Sequence, residues 1–127
     1  MLKVSFDDLL RKKLLVDEKK SETIDIEVFE GKALTFKRLP EERIFDIIDG
    51  FDNSRTTKAA DELIRTIIYE CCDELHNEEL HRKLGVVDPL DIVTSLFDHA
   101  ERTRIGEELV RFLKLDGEGI EEKIKNA

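Results

Sequence analysis

Apolar positions along this chain keep two different periods. Phe6, Leu9, Leu10 and Leu14 recur at three and four residues, the spacing of one helix face. Ser5 stands before them as an N-cap, and Asp7 and Asp8 fall in the first turn, where the helix dipole favours negative charge. A first helix is therefore predicted over about residues 6 to 15. A piece that short is marginal alone, so it must dock on something or serve as a partner-dependent arm. From Glu22 the period becomes two. Ile24, Ile26 and Val28 alternate with Asp25 and Glu27, and after the turn Glu30-Gly31-Lys32, Leu34 and Phe36 alternate with Thr35 and Lys37. The two runs read as a β-hairpin. A lone hairpin is barely stable in water, so Ile24, Ile26, Val28, Leu34 and Phe36 must lie on helices or pair with another chain.

The helical period then returns for the rest of the chain. Leu39-Pro40-Glu41-Glu42 opens a helix with Pro40 in its first turn, and the stripe Ile44, Phe45, Ile47, Ile48, Phe51 stops near Gly50. After the polar loop Asp52-Asn53-Ser54 the longest helix is predicted from about Thr56 to Leu75, with Ala60, Leu63, Ile64, Ile67, Ile68, Cys71 and Leu75 on one face. Asn77 opens a short helix that Gly85 closes as a left-handed cap. Asp88 as N-cap and Pro89 at the first position start another, carrying Leu90, Ile92, Val93, Leu96 and Phe97. A helix from about Ala100 to Lys114 turns Ile105, Leu109, Val110 and Leu113 inward and Phe112 to a second face. Beyond Gly117 and Gly119, Ile120 and Ile124 mark a short terminal helix. The expected fold is α+β and mostly α-helical, with one N-terminal β-hairpin packed on a bundle of short helices. It forms a single domain over residues 1–127: an arm over 1–20, the hairpin over 22–39 and a helical part over 40–127.

Charge changes the picture by excluding partners. Thirty acidic residues against 21 basic give a net charge of −9, which argues against a nucleic-acid footprint. The short cluster Arg11-Lys12-Lys13 is followed by Asp17-Glu18-Lys19-Lys20-Glu22, so the signs mix and a solvated face is expected. Apolar runs reach only two or three residues, such as Ile67-Ile68-Tyr69, far short of the roughly 20 that span a bilayer, and no membrane partner is expected. Met1 to Asp8 lack the basic start, apolar middle and small-residue site of a secretory signal, so the expected location is cytoplasmic.

Candidate chemistry is sparse. Cys71 and Cys72 are adjacent, point about 100° apart on a helix and cannot form an ordinary unstrained disulfide, which fits reduced thiols. Cys72 and His76, one helical turn apart, could share a metal, but His81 and His99 supply no second pair at ligand spacing, and core cysteines are expected instead. The carboxylate pairs Asp73-Glu74, Glu78-Glu79, Glu107-Glu108 and Glu121-Glu122 are adjacent and widespread, as on solvated helix faces, with nothing to drive two pKa values apart. Ser5, Ser21, Ser54 and Ser95 form no nucleophile elbow, and the six glycines form no phosphate-binding loop. No enzyme and no cofactor is expected.

One segment carries a resemblance. Glu79 to Val93, read as E-L-x-x-x-x-G-V-x-D-P-x-x-x-V, resembles the phage tail assembly chaperones of Gram-positive prophages, the kind encoded by defective prophages of bacilli. The hairpin ending in Leu39-Pro40 before a helix, and the ending Ile120-Glu121-Glu122-Lys123-Ile124-Lys125-Asn126, are similar in position to the family's. Phe97-Asp98-His99-Ala100-Glu101 departs from it where many members carry a Pro-Gly turn. The resemblance implies a non-structural protein that acts without nucleotide in the bacterial host cell. It binds the tape measure protein and keeps it soluble while the tail assembles. The alternative is an acidic regulatory or inhibitory protein that binds a basic host protein, motivated by the −9 charge. Candidate partner-binding residues are Phe6, Leu9 and Leu10 on the first helix, and Phe29 and Leu39, which are out of phase with their strands. The hairpin edge, blunted by Asp25 and Glu27, is a possible route to a homo-oligomer.

Overall fold

In the computed structural model, which describes residues 1–51 and 56–114, the two sequence periods separate into one hairpin and six α-helices. The order is α1 (Phe6–Lys20), β1 (Thr23–Phe29), β2 (Lys32–Lys37), α2 (Glu41–Asp49), α3 (Thr57–Cys71), a 3-10 turn (Asp73–His76), α4 (Glu78–Leu84), α5 (Asp91–Leu96) and α6 (His99–Leu113). The fold is α+β and mostly helical, as the periods predict. The predicted loop at Asp52-Asn53-Ser54 and the predicted terminal helix with Ile120 and Ile124 lie outside the described residues.

The hairpin is antiparallel with Ile24 opposite Phe36 and Ile26 opposite Leu34, so all four share one face. Glu30 (φ 50°) and Gly31 (φ 75°) form its two-residue turn in the left-handed region, and the Gly31 N–H donates to Glu27 Oε1 at 3.0 Å. Ile26 and Phe36 are fully buried, with Ile24, Val28 and Leu34 half-buried beside them. The hairpin thus lays its apolar face on the helices, against α3 and the 3-10 turn.

The core is centred on α3 and α6, the most extensive helix pair. Leu63, Ile64, Ile67 and Ile68 of α3 meet Ile105, Leu109, Val110 and Leu113 of α6, and α5 adds Ile92 and Val93. The two long helices approach closely at Gly106, where an added Cβ would stand 3.0 Å from Ile64 Cγ2. The N-terminus of α6 is capped by the chain itself. Asp98 accepts from the Glu101 N–H at 2.9 Å, and Glu101 reaches back to the Asp98 N–H.

Four boundaries differ from the periodicity. The first helix runs on to Lys20, because Lys13 and Asp17 pair at 2.6 Å and Lys19 and Lys20 suit its C-terminal dipole. Pro40 is the N-cap of α2, one residue before the helix. The predicted helix over Thr56–Leu75 ends at Cys71, since Cys72 is extended (φ −122°, ψ 102°), and Leu75 is buried from the 3-10 turn instead. Asp88 does not cap the helix: it accepts from the Leu90 N–H at 3.1 Å inside the Asp88–Asp91 turn, and the helix begins only at Asp91, with Leu90 as its N-cap and no side-chain cap bond.

Each outer edge of the hairpin meets a side chain. The Thr35 N–H on β2 donates to Glu74 Oε1 at 2.8 Å, and Arg104 Nη2 donates to the Glu27 carbonyl on β1 at 2.9 Å. A strand added to either edge must displace one of them. The double variant Glu74→Ala with Arg104→Ala is expected to gain mass toward a dimer or larger in concentration-dependent light scattering. Equal mass for the two proteins at every concentration would mean that these side chains do not guard the edges.

Candidate functional site

Two helices keep their apolar residues uncovered. In α1 the Ser5 hydroxyl accepts from the Asp8 N–H at 3.1 Å and Asp8 accepts from the Ser5 N–H at 2.9 Å, a reciprocal cap that needs no core contact. That backbone hydrogen bond, with the Arg11 guanidinium, holds the Asp8 carboxyl below its usual range. Asp17 is likewise lowered by its bond to Lys13. α1 is therefore held by its caps and local pairs, and none of its residues is buried.

The apolar side of α1 stays open. Phe6, Leu9 and Leu10 are 75%, 56% and 51% exposed, and Leu14, Leu15 and Val16 continue the exposure along the helix. Together with Met1, Leu2 and Val4 they are nine of the 14 large exposed hydrophobics among the described residues, so uncovered apolar surface is concentrated in this arm. α2 shares the property to a lesser degree. It too has no buried residue, with Ile44 and Ile47 half-buried against the core and Phe45 largely exposed.

Between these helices lies a groove of about 500 Å³. Val16, Lys19 and Lys20 of α1 form one wall, Leu39, Pro40 and Ile44 another, and Leu113 and Lys114 at the end of α6 a third. Arg38 enters from the hairpin exit. Its guanidinium lies 4.5 Å over the Phe112 ring, and Nη2 is 3.3 Å from Glu22 Oε2. Its Nε is buried and has no hydrogen-bond partner among the described residues. Glu41 and Glu42 are the acidic side chains on the rim.

The structure divides the five predicted contact residues. Phe6, Leu9 and Leu10 share α1, while Leu39 packs partly on the core and lines the groove beside Val16. Phe29 is 66% exposed but sits at the end of β1 next to the hairpin turn and does not line the groove. Val16 and Arg38 were not among the sequence candidates. Val16 was legible, being seven residues after Leu9 and so on the same helix face, once the helix is extended to Lys20.

The thiols lie in the core, and two imidazoles bond backbone carbonyls at its edge. Burial pushes Cys71 up from 9.0 to about 12 and Cys72 up to about 11, so both remain neutral thiols at physiological pH. His76 Nε2–H donates to the Tyr69 carbonyl at 2.8 Å and His81 Nε2–H to the Leu75 carbonyl at 2.6 Å. Cys72 and His76 do not stand a turn apart on one helix, because α3 ends at Cys71 and His76 belongs to the 3-10 turn. Among the described residues no three His, Cys, Asp or Glu side chains are grouped to hold a metal. No helix among them is long and apolar enough to cross a membrane. The surface offers apolar contact edged by mixed charge. The chain matches no family model, no curated protein and no solved structure.

Proposed function

We propose that this protein is a phage tail assembly chaperone that binds a tape measure protein and keeps it soluble until the tail tube forms around it. The observation that carries the reading is the uncovered apolar face of α1, continued by Val16 into the groove beside α2. A helix of 15 residues that buries nothing intramolecularly is marginal by itself and gains most from a partner's apolar surface. A long helical client presents such surface repeatedly. The likeness of Glu79–Val93 to the tail chaperones supplies the identity of that client, and the net charge of −9 suits a carrier that must keep an aggregation-prone partner dispersed.

Co-expression with the tape measure protein of a bacillus prophage tests this. The soluble yield of the tape measure protein is expected to rise, and the two chains are expected to co-purify. Leu9→Glu with Leu10→Glu should abolish both effects while leaving the stability of the chaperone itself within about 0.5 kcal/mol, because both side chains are already exposed. An unchanged soluble yield with no co-purification would remove the proposal. Salt separates it from the acidic-inhibitor reading. A complex built on apolar burial persists at high ionic strength, whereas one built on the −9 charge dissociates steeply.

A further inference from the structure

We infer that a second copy of this chain covers the outer ridge of α1, the two helices lying antiparallel with Leu10 beside the two-fold axis. The inference does not rest on the chaperone reading, because it concerns this chain alone. Phe6, Leu10 and Leu14 follow one another at four-residue steps, which makes them one ridge of the helix, and each is more than half exposed. Val16, Lys19 and Lys20 turn a different side of α1 to the groove. Val16 stands about 120° around the helix axis from Leu10, so the ridge points away from the groove and from the helices behind it. α1 also enters none of the extensive packing between elements. The ridge is therefore accessible to a whole second molecule.

Charge along the arm selects this occupant and its direction. The signs run positive at Lys3, negative at Asp7 and Asp8, positive from Arg11 to Lys13 and negative at Asp17 and Glu18. A parallel copy would set each block beside its like. An antiparallel copy turned about Leu10 brings residues whose numbers sum to 20 to one level, so that Phe6 meets Leu14, Asp7 and Asp8 stand level with Lys13 and Lys12, and Lys3 stands level with Asp17. Between residues 3 and 17 no two like charges then share a level. Lys3, Asp7 and Lys12 take part in no ion pair among the described residues, which leaves them available to a second copy, while Arg11 and Lys13 already hold Asp8 and Asp17 of their own chain. The outer edges of the hairpin, the other route to self-association, are occupied by Glu74 and Arg104. A helix about 22 Å long covers less than the roughly 1,200 Å² of a standard interface, so the pair is dissociable. A client helix seated on Leu10 would displace the second copy.

Sedimentation of the full chain without any partner, from about 1 to about 500 μM, tests the inference. The average mass should rise with concentration toward two copies. Leu10→Glu sets two carboxylates against each other at the axis and should hold the mass at one copy, whereas Phe29→Glu, at the hairpin turn, should leave the rise unchanged. Disulfide trapping then reads the direction. An equal mixture of Phe6→Cys and Leu14→Cys proteins, oxidised in air, should give the mixed disulfide well above the twofold excess of random pairing, while the native chain with its buried thiols gives the background. A mass of one copy throughout, a mass that climbs past two copies, or loss of the rise in Phe29→Glu would overturn the assignment. So would a random mixture of disulfides or an excess of like pairs, the latter by making the helices parallel. The client experiment reads soluble yield and not the mass of the chain alone, so either proposal can fail without the other.

Discussion

Asp61→Ala should lower the free energy of unfolding by about 3 kcal/mol, a large share of what a domain of this size possesses. Asp61 on α3 receives a two-pronged grip from Arg102 on α6, Nε to Oδ1 at 3.0 Å and Nη2 to Oδ2 at 3.2 Å, and the two side chains are 14% and 12% exposed. Arg102 Nη1 also donates to the Phe97 carbonyl at 2.8 Å, so the guanidinium is fixed in place whether or not Asp61 is present. Arg65 adds its charge, with Nε 3.2 Å from Asp61 Oδ2, but at an angle that leaves this nitrogen without a hydrogen bond. Removing the carboxylate would strand two largely desolvated guanidiniums at the α3–α6 contact, and the cost comes chiefly from their desolvation. Urea unfolding of Asp61→Ala measures it. The double variant Asp61→Leu with Arg102→Met should recover part of the loss, because the Arg102 charge goes with its partner while Arg65 stays. A loss below about 1 kcal/mol in the single variant would place the pair with surface ion pairs.

That pair shows where sequence reading stops. Asp61 and Arg102 are 41 positions apart, and neither residue type nor spacing distinguishes them from the other charges on α3 and α6. The hairpin was legible because an alternating run with Gly31 between its halves admits one register that buries Ile26 and Phe36 together. The Gly85 cap was legible because its left-handed backbone is the conformation glycine tolerates best. The break at Cys72 was not. The apolar period runs through to Leu75, and what bends the chain is tertiary: Glu74 accepts from the Thr35 N–H and Asp73 pairs with Lys37 at 2.8 Å, tying the 3-10 turn to β2. The candidate site was legible in its α1 half, where amphipathic spacing marks Phe6, Leu9 and Leu10. That spacing shows which face is apolar but not whether anything in the same chain covers it. The groove draws walls from the end of α1, from the link after β2 with the start of α2, and from the end of α6, and no local pattern joins those segments.

Alkali should unfold this protein through its two thiols. An ordinary thiol loses its proton near pH 9, whereas folded Cys71 holds its own to about pH 12 and Cys72 to about pH 11, because burial disfavours the thiolate. Below pH 9 both states are protonated and the thiols leave stability independent of pH. Above it the unfolded chain ionises first and binds fewer protons than the folded one, so stability falls as pH rises until the folded thiols titrate too. The differences correspond to about 4 kcal/mol for Cys71 and about 3 kcal/mol for Cys72, released progressively between pH 9 and pH 11 to 12. Tyr69, also raised by burial, acts in the same direction. With both thiols engaged the fall is about twice as steep as one thiol alone would give, and it removes a large share of the stability of a small domain. Urea unfolding at pH 8, 9 and 10 measures this slope. Cys71→Ala with Cys72→Ala should be less stable at pH 8, because it opens space in the core, and yet should lose much less between pH 9 and 10. An equally steep fall in the double variant would take the alkaline limb away from the thiols. Native-state labelling gives a second reading of the same burial: at pH 8 both thiols should react with an aromatic disulfide only as fast as the protein opens, since neither presents a thiolate to solvent.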